Sequence, residues 1–136
     1  DGSCIGYGRG ENPNDPKFMF KREVDYCSGA FLLFRKIDFV ELGSFDIDFA
    51  PAYYEESDFC IRLQKAGLKV VYNPCVEIVH YEFASSENVT NALSLQERNR
   101  KTLLAKHKAW LADKYPPEEG YTLIARSTNK YHLSPG

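Results

Sequence analysis

Hydrophobic and polar positions alternate with helical spacing most clearly over Glu55 to Ala66, where Phe59, Leu63 and Ala66 recur at i, i+4 and i+7. Asp58 and Arg62 stand four apart there as a favourable ion pair, and Gly67 follows as a stop. A second, longer helical pattern runs from Asn91 to about Lys114. Its apolar positions are Leu93, Leu95, Leu103, Leu104, Ala105, Trp110 and Leu111; a single break, if there is one, falls near Glu97. Pro116-Pro117 closes it. Lys36 to Leu42 suits a short helix with Gly43 just past its end.

Strand signals are few and short. Glu23 to Tyr26 reads as a strand broken by Cys27-Ser28-Gly29, and Ala30 to Arg35 as a buried strand. Leu68 to Tyr72 reads as a strand turned by Asn73-Pro74, Val76 to His80 as a second, and Tyr121 to Ala125 as a last one in the tail. Residues 1–20 carry Gly6, Gly8 and Gly10, then Pro13 and Pro16, and read as loop rather than as a nucleotide-binding glycine turn. Mixed elements of this kind imply an α/β layer arrangement.

Composition narrows the function classes. The 136 residues are 43% hydrophobic with net charge −2, an ordinary globular balance with no basic field for nucleic acid. The longest apolar run, Ala30 to Phe34, falls far short of the ~20 residues that span a bilayer. Cys4, Cys27, Cys60 and Cys75 show no metal-ligand spacing and read as reduced, buried thiols. Asn88-Val89-Thr90 matches a glycosylation acceptor by chance. The opening Asp1-Gly2-Ser3-Cys4 shows no leader pattern and reads as a cut from a longer chain.

The chemistry concentrates in Tyr53-Tyr54-Glu55-Glu56-Ser57-Asp58. Carboxylates gather at a helix start because its free N–H groups and dipole favour negative charge. At a strand–helix junction they are also a plausible general base or metal site. Tyr53 and Tyr54 fit packing at the helix start, or sugar stacking as the sharper reading; Trp110 fits core packing. The basic run Arg98, Arg100, Lys101, Lys106 and Lys108 fits a solvated helix face.

The blocks Val24-Asp25-Tyr26-Cys27-Ser28-Gly29-Ala30, Gly43-Ser44-Phe45-Asp46 and Tyr54-Glu55-Glu56-Ser57-Asp58-Phe59-Cys60-Ile61-Arg62-Leu63, followed by Gly67, Pro74 and His80, resemble the C-terminal half of a family 2 glycosyltransferase catalytic domain. The likeness is nearest the bacterial rhamnosyltransferase-like branch. It implies a partial GT-A fold over residues 1–115, holding the acceptor side, with a tail at 116–136. It also implies a nucleotide-diphosphate sugar donor, a glycan or lipid-linked acceptor, Mg²⁺ or Mn²⁺, and a cytoplasmic setting, at the membrane face in the full-length protein. By that resemblance Glu56 is the base of an inverting transfer, with Glu55 beside it. Gly29, Asp58, Tyr54, Arg98 and Arg100 fall at substrate positions, and His80 at a metal position. The family's Asp-x-Asp metal motif belongs upstream of any match here; Asp46-Ile47-Asp48 has the letters in the wrong place. The main metal ligands and the nucleotide-binding half are therefore expected outside this chain, and the chain alone is expected to be inactive.

Two other readings stand beside this one. In the first, the chain is a non-catalytic binding or assembly module that self-associates through the face where the other half would dock. In the second, Glu55, Glu56, Asp58 and His80 converge as a metal-dependent hydrolase site. A cleft shared by His80 and Glu56 favours catalysis; His80 buried against the long helix favours assembly.

Overall fold

The computed structural model describes residues 2, 4, 8, 10–80 and 89–112. Within them, a two-residue strand β1 (Arg22–Glu23) is followed by helix α1 (Lys36–Glu41), helix α2 (Glu55–Lys65), a second short strand β2 (Val71–Tyr72) and the long helix α3 (Val89–Ala112). One-turn 3₁₀ helices at Pro16–Phe18 and Ile47–Phe49 are capped by Asp15 and Asp46, whose carboxylates accept from Lys17 N and Asp48 N. The expected tail strand lies outside the described residues.

β1 and β2 pair antiparallel, Arg22 opposite Tyr72 and Glu23 opposite Val71, and Val24 N extends the ladder to Val70 O at 3.0 Å. The sheet is smaller than the sequence predicts, and two expected strands are absent. Ala30 to Arg35 is irregular, with Phe31 57% and Leu33 92% exposed. Only alternate side chains there find apolar partners, chiefly Phe34, and no strand lies alongside. Val76 to His80 is likewise irregular and exposed throughout. A strand holds only with a partner ladder, and neither segment has one among the described residues.

The helices form where their patterns place them, although Leu93 and Ala105 of the α3 apolar set are exposed. α1 ends at Leu42, and Gly43 takes the left-handed conformation (φ 87°) at the next position. In α2, Phe59 and Leu63 are buried as predicted, Ala66 is exposed, and Ser57, Asp58, Cys60 and Ile61 are buried too. Gly67 (φ 81°) stops it. α3 is kinked at His107 (φ −122°, ψ 22°) rather than near Glu97.

Two apolar nuclei sit on either side of α2. In one, the rings of Phe34, Phe39, Phe45 and Phe59 interlock. Phe59 lies 5.1 Å from Phe34 and 5.2 Å from Phe39, edge to face, and Phe34 stacks on Phe39 at 4.9 Å. In the other, Phe49, Ile61 and Leu103 are buried together, with Tyr54, Trp110 and Leu111 packed around them. Trp110 is thus at the core, as its position on the α3 pattern predicts. All four cysteines are free thiols, but only Cys60 is buried; Cys4 and Cys75 are exposed.

Phe59 carries the ring cluster from the centre of α2. Phe59→Ala is expected to cost about 3–5 kcal/mol in urea unfolding of the protein. Leu33→Ala, on the exposed side of the same region, is expected to stay within about 0.5 kcal/mol.

Candidate active site

α2 begins without a side-chain cap. Its N-cap residue, Tyr54, is left-handed (φ 74°), as is Tyr53 before it (φ 77°). Two successive non-glycine residues in that region are sterically costly and persist only where the surroundings hold them. The holding group is Asn99, fully buried on α3. Its side-chain Nδ2 donates to the carbonyls of Phe49, Ala52 and Tyr53, each at 2.8 Å. Arg98 supports the same turn: its Nε donates to Asn99 Oδ1 at 2.9 Å and its Nη2 to Ala50 O at 2.5 Å.

This turn delivers Glu55 and Glu56, both half-buried, to the first turn of α2. Each has its Oε2 buried with no hydrogen-bond partner, but they differ in what else they touch. Glu55 accepts from its own backbone N–H and that of Tyr53, and burial raises its carboxyl above the ordinary range, with the nearby Glu56 charge adding to the rise. Glu56 points to a different environment. Gly29 lies against its side chain: a Cβ there would stand 3.7 Å from Glu56 Cγ.

Thiols and phenols surround Glu56. Burial lifts the Cys4 thiol and the Tyr26 phenol, and pushes Cys60 up to about 11. The Glu56 charge adds to the rise of all three. Tyr54 is pushed up to about 12, again chiefly by burial. Cys4 Sγ lies 3.2 Å from Ser57 Oγ. Cys4, Tyr26 and Cys60 thus lie within electrostatic reach of Glu56.

Asp58, the third carboxylate of the motif, is fully buried and already engaged. Arg62 Nε donates to its Oδ2 at 2.7 Å, so the predicted i, i+4 pair is present. His107 Nε2 lies 2.7 Å from its Oδ1, and Lys65 Nζ lies 2.8 Å from His107 Nδ1. An ammonium has no lone pair, so Lys65 must donate to Nδ1. The imidazole proton then sits on Nε2 and is donated to Asp58. Arg62 also donates to the carbonyls of Leu42 and, at 2.6 Å, Ser44 (φ 60°), fastening the turn after α1.

The remaining predicted residues have other surroundings. His80 is exposed in the irregular segment after β2, so it is not buried against α3. Arg100 pairs with Glu97 at 3.1 Å, and Arg98 is taken up by the turn as described. Lys106 of the basic run is not merely solvated: it pairs with Asp46 and approaches Asp58 at 3.9 Å. Among the described residues no three His, Cys, Asp or Glu side chains are placed to hold a metal ion. The four-residue cluster that a hydrolase would need is therefore not assembled.

Asn99, His107, Cys4 and Tyr26 are parts of the site that sequence reasoning missed. A signal existed for the first two. Ala92, Asn99, Leu103 and His107 fall at helical spacing on the buried face of α3, where a polar residue needs a partner.

Comparison with known proteins now adds to this geometry. The chain is 41% identical over 58 residues to the rhamnosyltransferase WbbL of Escherichia coli (strain K12), a match covering 43% of this chain and 22% of that protein. It is 33% identical over 92 residues to the N-acetylglucosaminyl-diphospho-decaprenol L-rhamnosyltransferase of Mycobacterium tuberculosis, covering 66% of this chain and 30% of that protein. The chain's homologues are rhamnosyltransferases, as the resemblance implies, and it spans less than a third of the length of each. No family model matches it, and no solved structure does.

The Glu55 shift gives a pH dependence. A carboxyl raised by folding favours the folded state while protonated, and that contribution is lost as pH rises through the raised value. Glu55→Gln lacks it. The stability of wild type relative to Glu55→Gln is therefore expected to fall as pH climbs through and above the ordinary glutamate range. A difference in unfolding free energy that is flat with pH, or that grows in favour of wild type, contradicts the buried placement.

Proposed function

We propose that this chain is the acceptor-side part of a GT-A glycosyltransferase of family 2, in which Glu56 is the general base of an inverting sugar transfer. The observation that carries the reading is the pair of buried, unpartnered Oε2 atoms on Glu55 and Glu56, with Gly29 lying against Glu56. Buried acceptors are nearly always satisfied, so one left open asks for a donor from outside. An acceptor hydroxyl supplies that donor.

In the transfer, the acceptor O–H proton passes to Glu56 Oε2 as the oxygen bonds to the anomeric carbon of the donor sugar. The bond from that carbon to the phosphate oxygen breaks on the opposite face, and the nucleoside diphosphate leaves with the electron pair. Glu55 is held by the backbone N–H groups of Tyr53 and its own residue but has an open Oε2 as well, and it is the resemblance that gives the base role to Glu56. Gly29 packs beside the Glu56 side chain, where an added Cβ would sit 3.7 Å from Cγ, an ordinary contact. Tyr54 offers an aromatic edge at the same turn for a sugar ring. Arg98 and Arg100, if they meet the donor diphosphate, do so only by leaving the partners they have here.

The divalent cation that the resemblance implies would be held by residues beyond this chain, with His80 the one ligand assigned here, and no step above runs through it. The mycobacterial relative's name gives a polyprenol diphosphate acceptor. An acceptor of that class fits a site at the cytosolic membrane face, and none of the described helices is long and apolar enough to cross the membrane. The assembly reading keeps one observation: Phe31, Leu33, Ile37 and Val40 expose a run of large apolar side chains, where the rest of the enzyme or a second copy would dock.

The test uses the full-length protein with a radiolabelled nucleoside-diphosphate sugar and a lipid-linked acceptor. Glu56→Gln is expected to lower transfer about 100-fold or more, the usual range for a lost general base. Transfer within about threefold of wild type removes Glu56 from that role.

A further inference from the structure

Asparagine is a poor choice for the middle of a helix and a costly one in a dry interior. Asn99 is both mid-helical and fully buried, so its interactions must explain its position. Its two amide hydrogens serve three carbonyls, those of Phe49, Ala52 and Tyr53, at 2.8 Å each, so at least one hydrogen is shared. Arg98 fixes which way the amide faces, because its Nε–H can bond only to the oxygen end. The three carbonyls belong to the turn whose last two residues, Tyr53 and Tyr54, are left-handed. Freed of the clamp, both tyrosines relax toward negative φ, and the residues that follow them, Glu55 and Glu56, swing away.

We propose that Asn99 is a positioning residue for Glu56. It acts across more than forty residues of sequence by holding the pre-helix turn, and it does not touch substrate. The inference rests on the reading of Glu56 as the base.

A mutant cycle in the full-length protein tests it, with nucleoside-diphosphate sugar and lipid-linked acceptor as the probes. Asn99→Ala, Glu56→Gln and the double variant are compared in kcat and in KM for the donor. Asn99→Ala is expected to lower kcat about tenfold or more, since a base displaced by about 1 Å loses rate on that scale, with donor KM within about twofold. In the Glu56→Gln background the same substitution is expected to change kcat by less than about twofold, because the group it positions is gone. An equal fold-loss in both backgrounds, or wild-type kcat for Asn99→Ala, overturns the inference while leaving the base in place. A neutral Glu56→Gln overturns the base reading itself, and this inference with it. Should Asn99→Ala fail to accumulate as folded protein, Asn99→Ser, which keeps one donor, carries the same comparison.

Discussion

The buried carboxylate of Asp58 is the interaction on which the rest of the structure depends. A charge with no solvent contact is stable only when its partners replace its water. Asp58 has Arg62 on one oxygen and His107 on the other. Each partner then reaches a separate part of the chain. Arg62 gathers the carbonyls of Leu42 and Ser44, and His107 brings the kink of α3 onto α2 with Lys65 behind it. One side chain in the first turn of α2 thereby fixes the turn after α1 and the approach of α3.

The same device recurs at Asn99. Among the described residues the one sheet has two residues per strand, which leaves many backbone carbonyls without a ladder. Here long polar side chains collect them, Arg62 at residues 42 and 44, and Asn99 with Arg98 at residues 49 to 53. Arg62 reaches from α2 to the turn after α1, and Asn99 reaches from α3 to the turn before α2. The acidic turn is held in a left-handed conformation that it would not adopt alone. Glu56 projects from that turn with one oxygen buried and open. In this chain polar interactions therefore set the geometry of the site, and apolar packing (the phenylalanine cluster and the Phe49, Ile61, Leu103 nucleus) supplies the platform.

Helices were the legible part of the sequence. The α2 pattern, the Gly43 and Gly67 stops and the Asp58–Arg62 pair depend on neighbours a few residues away, and such local terms show in spacing. Strands were less legible, because Ala30 to Arg35 and Val76 to His80 have strand-like residues but no partner, and pairing is a long-range property. At the site, the acidic turn was readable from its charge and order. Its supports were not, since Asn99 and His107 act on residues more than forty positions away. Arg98 and Arg100 drew attention for their charge, whereas Arg98 and the residue after it, Asn99, make the bonds that matter to the turn. His80 was read as part of the site by resemblance, and it lies exposed after β2.

If Asp58 joins α2 to α3 as described, its effect on stability must depend on His107. The direct measurement is a double-mutant cycle in urea unfolding, combining Asp58→Asn with His107→Gln. The account predicts a coupling of about 1–3 kcal/mol, the double variant losing much less than the two single losses added. Single losses that add to within about 0.5 kcal/mol would show that the two side chains do not act on each other and would contradict it.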